Sequence, residues 1–192
     1  MANITLIGRE TAALTNDICH LMESQLGVKI NKLHPDKFMA DQYNADDEFI
    51  ITYQTEMSRK KQIVEKLNAN KLKRATFIHN TSVINYTASV LPGTFIGPFC
   101  MLAADAVVGP DCLLAPYTLI GHKTILGEGC ITNPGAIVTG NVTVGKYCLL
   151  GIRSVTSDRI SICDDVVVGP AAFISKTITV PGRYLGSPAR LG

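Results

Sequence analysis

The chain has 192 residues, 46% of them apolar, and its 18 basic and 16 acidic side chains leave a formal net charge of +2. That is enough apolar material for a sizeable core in one or two units, and the evenly spread charge contains no basic block of the kind that grips nucleic acid. The start, MANITLIGRE, lacks the charged head and long apolar run of a secretory signal, and no stretch approaches the roughly 20 apolar residues that cross a bilayer, so a cytoplasmic protein without membrane contact is expected.

In chain order, apolar runs at 3–8, 28–33, 48–53 and 75–79 read as strands, and amphipathic stretches at 12–26 and 58–69 read as helices. Strands alternating with helices predict a short parallel sheet, half of a Rossmann-like unit, over residues 1–79. The loop after the first strand, Gly8-Arg9-Glu10-Thr11, holds a single glycine and is no dinucleotide fingerprint.

From Ile84 the chain changes character. Every sixth residue is aliphatic, through Val90, Ile96 and Leu102 to Val180, without an insertion, and only Thr132 and Thr156 depart from the pattern. A helix repeats near 3.6 and a flat strand near 2, so a period of six means short strands joined by tight turns, three to a coil of 18 residues. Residues 80–192 therefore form a parallel β-helix built on a hexapeptide repeat. Two positions before each aliphatic the side chain is small, and Cys100, Cys112, Cys130 and Cys148 belong to this set. They read as small buried hydrophobes, and with no CxxC spacing anywhere, neither a zinc site nor a disulfide framework is expected.

Residues between the inward pair must point outward. On one face these are Phe95, Leu113, Ile131, Leu149 and Val167, and on a second Met101, Leu119, Ile137, Val155 and Phe173. The third face carries Ser89, Val107, Ile125 and Thr143. Two apolar outward stripes exceed what a soluble monomer normally exposes, which predicts a homotrimer.

One histidine of four, His122, falls inside the repeat, at a corner after Ile120-Gly121. Gly140 lies 18 residues on and should stack above it. Acyl transfer from a thioester needs a base for the acceptor's proton and an N–H for the developing oxyanion, and an imidazole beside a bare glycine amide offers both.

The stretch GHKTILGEGCITNPGAIVTGNVTVGKYCLLGIRS, then DDVVVGPAAFISK and YLGSPAR near the end, closely resembles the bacterial sugar acetyltransferases of the sialic-acid O-acetyltransferase type, which include nucleotide-amino-sugar N-acetyltransferases. The similarity is good over 80–190 and weak before that, resting there on FIITYQTEMSRKKQIVEKL. The resemblance implies a left-handed β-helix, a homotrimer binding acetyl-CoA between subunits without a metal, and transfer of acetyl to the amine or hydroxyl of an amino sugar or nucleotide-linked sugar. It also implies His122 as general base, Gly140 as amide donor to the thioester carbonyl, and Gly151, Ile152 and Pro170 as acetyl-CoA contacts. An acid usually follows the base in that family, whereas this chain has Lys123, so Asp105 or Glu128 would have to stand in. The missing phosphate cradle in the first loop favours an unactivated sugar or another amine over a uridine-diphosphate sugar as acceptor. Two other classes fit less well: a zinc lyase needs three histidines on the prism, and a scaffold without activity would keep the prism only for assembly.

Overall fold

The computed structural model describes residues 3–9, 11–54 and 56–192. The N-terminal unit runs β1 (Ile4–Ile7), α1 (Ala13–Leu26), β2 (Asn31–Leu33), α2 (Pro35–Met39), β3 (Glu48–Ile51) and α3 (Met57–Ala69). Its three strands are parallel in the order β2-β1-β3. The short helix α2 was not anticipated; Pro35 at its first turn and the His34 ring, which accepts from the Asp36 N–H at 3.2 Å, start it.

The strand expected to complete this unit near 75–79 is instead the first rung of the β-helix. Phe77–Ile78 pair in parallel with Phe95–Ile96, and from there each strand through Val155–Thr156 pairs with the one 18 residues on; after it the spacing shortens to 16, with Ile162 opposite Ile178 and Val168 opposite Tyr184, so Ile178 is buried in the place expected for Val180, which is exposed. The result is a left-handed parallel prism whose faces are sheets of eight, six and five strands. A hairpin, Gly182–Leu185 with Arg190–Leu191, closes the C-terminal edge of the first face. The inward aliphatics are buried as the period requires, among them Ile96, Leu114, Leu126, Val138 and Leu150.

The four repeat cysteines are buried, and they do more than fill space. Each thiol donates to a corner carbonyl 15 residues on, from Cys100 to Ala115, Cys112 to Gly127, Cys130 to Gly145 and Cys148 to Cys163, at 3.0–3.2 Å. Thr94 and Thr124 make the same bond to Gly109 and Thr139 at 2.9 and 2.6 Å. Where the small residue of the repeat is cysteine or one of these threonines, it is therefore also the donor that satisfies a corner carbonyl left over by the strand ladder.

Of the two apolar stripes, the first is covered by the chain itself. Phe95, Leu113 and Ile131 are buried against Ile18, Cys19 and Met22 of α1 and against Leu6 and Ile50 of the sheet. That stripe therefore gives no support to a trimer, since an amphipathic helix folded back on it removes it from water. The second stripe stays open, with Met101 47% and Phe173 37% exposed.

The seam between unit and prism is pinned by polar contacts as well. Gln25 at the end of α1 donates to the Ile78 carbonyl and accepts from the Asn80 N–H. The Arg74 guanidinium reaches both carboxylate oxygens of buried Asp111 at 3.0 Å. Next to that pair, Lys60 of α3 is fully buried, and its Nζ is the one buried side-chain nitrogen or oxygen without a hydrogen-bond partner among the described residues.

Burial pushes the Lys60 ammonium below the ordinary lysine range, against the pull of nearby Cys112 and Asp111. With the folded value below the unfolded one, the unfolded chain binds more protons between the two, so stability rises with pH through that window. Lys60→Met removes the stranded amine and keeps the volume, and is expected to stabilise the protein at neutral pH by about 1–3 kcal/mol, the usual cost of an unmet buried polar group. The thermal midpoint should rise by about 2–10 °C and lose its alkaline gain. A lower midpoint in a thermal melt would show that the amine has a partner in solution.

Candidate functional site

The coil length decides what meets at a corner. Each corner from Gly93 to Ala171 ends in a residue with left-handed backbone, Lys123 at φ 56° and Asn141 at φ 56° among them, although neither is glycine. The conformation is held by a ladder of corner hydrogen bonds: the Lys123 N–H donates to Ala104 and the Asn141 N–H to His122, at 2.9 and 2.8 Å. On the His122 corner the residue just before the left-handed one keeps an N–H with no acceptor among the described residues, and at the coil above His122 that residue is Gly140.

The stacking of His122 and Gly140 is as expected. A β-carbon on Gly140 would lie 2.4 Å from His122 Nε2 and 2.7 Å from Cε1, so the imidazole occupies the space a side chain there would need. Gly121 is required for another reason: a β-carbon on it would lie 2.4 Å from the Thr139 carbonyl carbon in the next coil. His122 is exposed, and among the described residues neither ring nitrogen makes a hydrogen bond, so the ring is placed by packing over Gly140. One coil beyond Gly140, the Thr156 hydroxyl oxygen, turned inward where the repeat calls for an aliphatic, lies 3.0 Å from the Thr139 nitrogen and accepts its N–H.

The residues proposed to compensate for Lys123 do not converge on it. Glu128 is six positions on from His122, a third of a coil, and so belongs to the next corner, where it pairs with Lys146 at 3.4 Å. Asp105 shares the Lys123 column, but the two form no ion pair; its N–H is held by Thr87 at 2.9 Å.

Gly151, Ile152 and Pro170 lie on a different corner, between the first and second faces. Ile152 and Pro170 stack as predicted, with the Ala171 N–H donating to the Ile152 carbonyl at 2.7 Å, and Ile152 is 51% exposed. Within one chain they are separated from His122 by the width of the open second face, so the chain alone assembles the imidazole and the glycine but not the remaining three.

Sequence reading missed a second concavity. A cavity of about 510 Å³ opens at the carboxyl ends of β1, β2 and β3, the position where ligands enter parallel α/β sheets. It is lined by Arg9, His34, Asp36, Tyr53, Ser58 and Arg59, among others. Arg59 is ion-paired with Asp36, and the Arg9 guanidinium sits 5.8 Å from the Tyr53 ring centre. His34 also faces this cavity. Glu10, in the loop singled out earlier, lies outside the described residues. The signal that could have found the cavity was the alternation of strand and helix, which gathers the loops after each strand at one end of the sheet.

No protein-family model matches the chain and no curated protein matches it in sequence. Its fold, however, matches solved structures along their whole length. The acetyltransferase domain of PglB from Neisseria gonorrhoeae superposes with a TM-score of 0.84 at 17% identity, covering 99% of both chains. A mutant GDP-perosamine N-acetyltransferase from Caulobacter crescentus, in complex with CoA and GDP-perosamine, gives 0.86 at 15% identity over 100% of this chain and 97% of the other. WeeI from Acinetobacter baumannii gives 0.81 at 16% identity over 99% of both. The PglB domain has also been solved with acetyl coenzyme A. At these identities the match establishes the shared architecture, a small α/β unit followed by the prism.

Proposed function

We propose that the protein is an acetyl-CoA-dependent acetyltransferase acting on the amine, or a hydroxyl, of an amino sugar or nucleotide-linked sugar. The observation that carries this is the imidazole of His122 lying directly over the bare Gly140, whose N–H is free. The full-length likeness to N-acetyltransferases solved with CoA and an amino sugar nucleotide supports the same chemistry.

In this mechanism the acceptor nitrogen attacks the thioester carbonyl carbon while His122 takes its proton. The oxygen of the tetrahedral intermediate is met by the Gly140 N–H. The carbon–sulfur bond then breaks, the amide forms, and the thiolate of CoA recovers the proton from the imidazolium. Gly151, Ile152 and Pro170 would line the pantetheine arm. Because they stand on another corner than His122, the complete site is formed in a homotrimer, in which the exposed second face is buried and the histidine corner of one copy meets the other corner of the next. The N-terminal unit would hold the distal part of the acceptor in its cavity, where Arg9 provides a cation without a glycine-rich phosphate loop. A cytoplasmic setting suits both acetyl-CoA and six cysteines that are all free thiols.

The scaffold alternative is favoured by one observation, Lys123 without an acidic partner beside His122. Calorimetry with coenzyme A separates the two, since a scaffold should release no heat.

Thiol release from acetyl-CoA across a panel of amino sugars should identify an acceptor. With it, His122→Ala should lower kcat by about 100-fold or more, the usual worth of a positioned general base; full activity would rule out that role. Gly140→Ala places a methyl 2.4 Å from the ring nitrogen, and should displace the imidazole with a loss of about tenfold or more while the melting temperature stays near that of the parent. An active Gly140→Ala enzyme would show that the ring works from another position.

A further inference from the structure

Resting on the acetyl-transfer reading, we propose that Tyr117 of a neighbouring copy forms the wall opposite His122 against which the acceptor packs, and that a facing pair of glycines, Gly135 and Gly140, leaves the passage for the thioester.

In a closed trimer whose axis runs parallel to the prism, symmetry puts equivalent residues at equal height in all three copies. Height advances by one strand spacing, about 4.8 Å, per coil, so residues five or six apart differ by only about 1.6 Å. With the open second face turned inward, each histidine corner meets the corner between first and second faces of the next copy. His122 and Lys123 are then level with the partner's Tyr117, Gly140 with the partner's Gly135, and Asp158 with the partner's Arg153.

Each of these levels is complementary. Arg153 and Asp158 are both exposed and opposite in charge, and Asp158, which pairs with its neighbour Arg159 at 3.2 Å, would share that carboxylate with the partner's Arg153. At the middle level neither corner has a side chain: a β-carbon on Gly135 would meet only Arg153 Cγ at 3.3 Å, and one on Gly140 only the His122 ring. An opening bounded by two bare corners, with the imidazole at its floor, is where an acyl thioester can reach both the base and the free amide.

At the lowest level, Tyr117 is 62% exposed and stacks on Phe99 with ring centres 5.2 Å apart and planes 14° from parallel. A single chain gives no reason to hold two aromatic rings stacked in water on a prism corner. Facing His122 across the cleft, the pair makes a rigid flat wall of the kind that receives the apolar face of a sugar ring.

The geometry is tested first. Tyr117→Cys combined with Lys123→Cys should, under mild oxidation, give covalent trimers on a non-reducing gel, whereas either variant alone and the parent, whose own thiols are buried or half-buried, should not. Monomer bands only would overturn the proposed pairing of levels. Activity is tested next. Tyr117→Ala should raise KM for the acceptor about tenfold, leaving kcat and the KM for acetyl-CoA within about twofold, and Tyr117→Phe should restore it. Co-expressed Tyr117→Ala and His122→Ala chains should regain about a quarter of the native rate at low acceptor, because random assembly joins an intact imidazole to a partner's intact ring in about one site of four. No recovery, or an unchanged acceptor KM in Tyr117→Ala, would overturn the role of the ring. A parent protein inert toward acetyl-CoA that still cross-links would overturn the acetyl-transfer reading while the facing of the corners stands.

Discussion

The prism rests on one constraint: between Phe77 and Ile174 the strands pair in register 18 residues apart, and the spacing shortens to 16 at the closing rung. Parallel pairing in this register makes columns of the sequence. An inward column must stay aliphatic or small, a corner column must tolerate left-handed backbone, and a residue between two coils must lack a β-carbon where the coils touch. The constraint also fixes what a corner can offer chemically. Corner hydrogen bonds absorb one N–H per turn; on the histidine edge they leave the preceding one free, at Ala104, His122, Gly140 and Asp158, whereas on the other two edges that place is mostly proline.

Against this rigid column the N-terminal unit works as a cover and a lever. Its helix α1 hides the first face, and α3 lies along the corner between third and first faces, where Lys61 faces the Tyr147 ring at 5.1 Å and Lys60 is buried beside Asp111. The same helix begins at the cavity with Ser58 and Arg59. One turn of α3 therefore contributes to both the seam and the concavity, and a ligand that reorders Arg59 acts on a helix whose next residue is locked into the prism. The stranded amine of Lys60 lowers the stability of that seam beside the Arg74–Asp111 pair, in which the one Nε–H is shared between both carboxylate oxygens.

Most of the prism was legible because its period is imposed residue by residue. The inward column, the buried cysteines, and the stacking of His122 on Gly140 and of Ile152 on Pro170 all follow from counting in steps of 18. What was not legible depends on contacts with no period. Phe95, Leu113 and Ile131 look the same in sequence whether a second copy or α1 covers them, and only the path of the chain decides. The strand at Phe77–Ile78 precedes the first full repeat, so its membership of the prism is set by pairing with Phe95–Ile96 and not by pattern. The cavity gathers Arg9, His34, Tyr53 and Arg59 from three loops, and no local spacing unites them. Asp105 and Lys123 show the limit of counting itself: a shared column places two side chains near each other without making them a pair.

The free amides also explain how a structural corner becomes a site. Two of the three edges of the prism carry few of them: Pro92, Pro98, Pro110, Pro116, Pro134 and Pro170 have no N–H, and the Lys146 N–H donates to Asp164 at 2.7 Å, so free amides run as a column on the histidine edge. What sets one apart is a vacancy in front of the amide and a titratable ring across the vacancy, which here means Gly140 above and His122 below. At the coil beneath, Ala104 holds the corresponding place and shields its amide; at the coil above, Asp158 does, with a charge that would repel an oxyanion. Only between them is the edge both bare and overhung by an imidazole. Two residues on an otherwise repetitive column thus suffice to convert a load of identical backbone into one place where a thioester can be held and attacked, while the remaining coils supply the stiffness that keeps the ring and the amide in line.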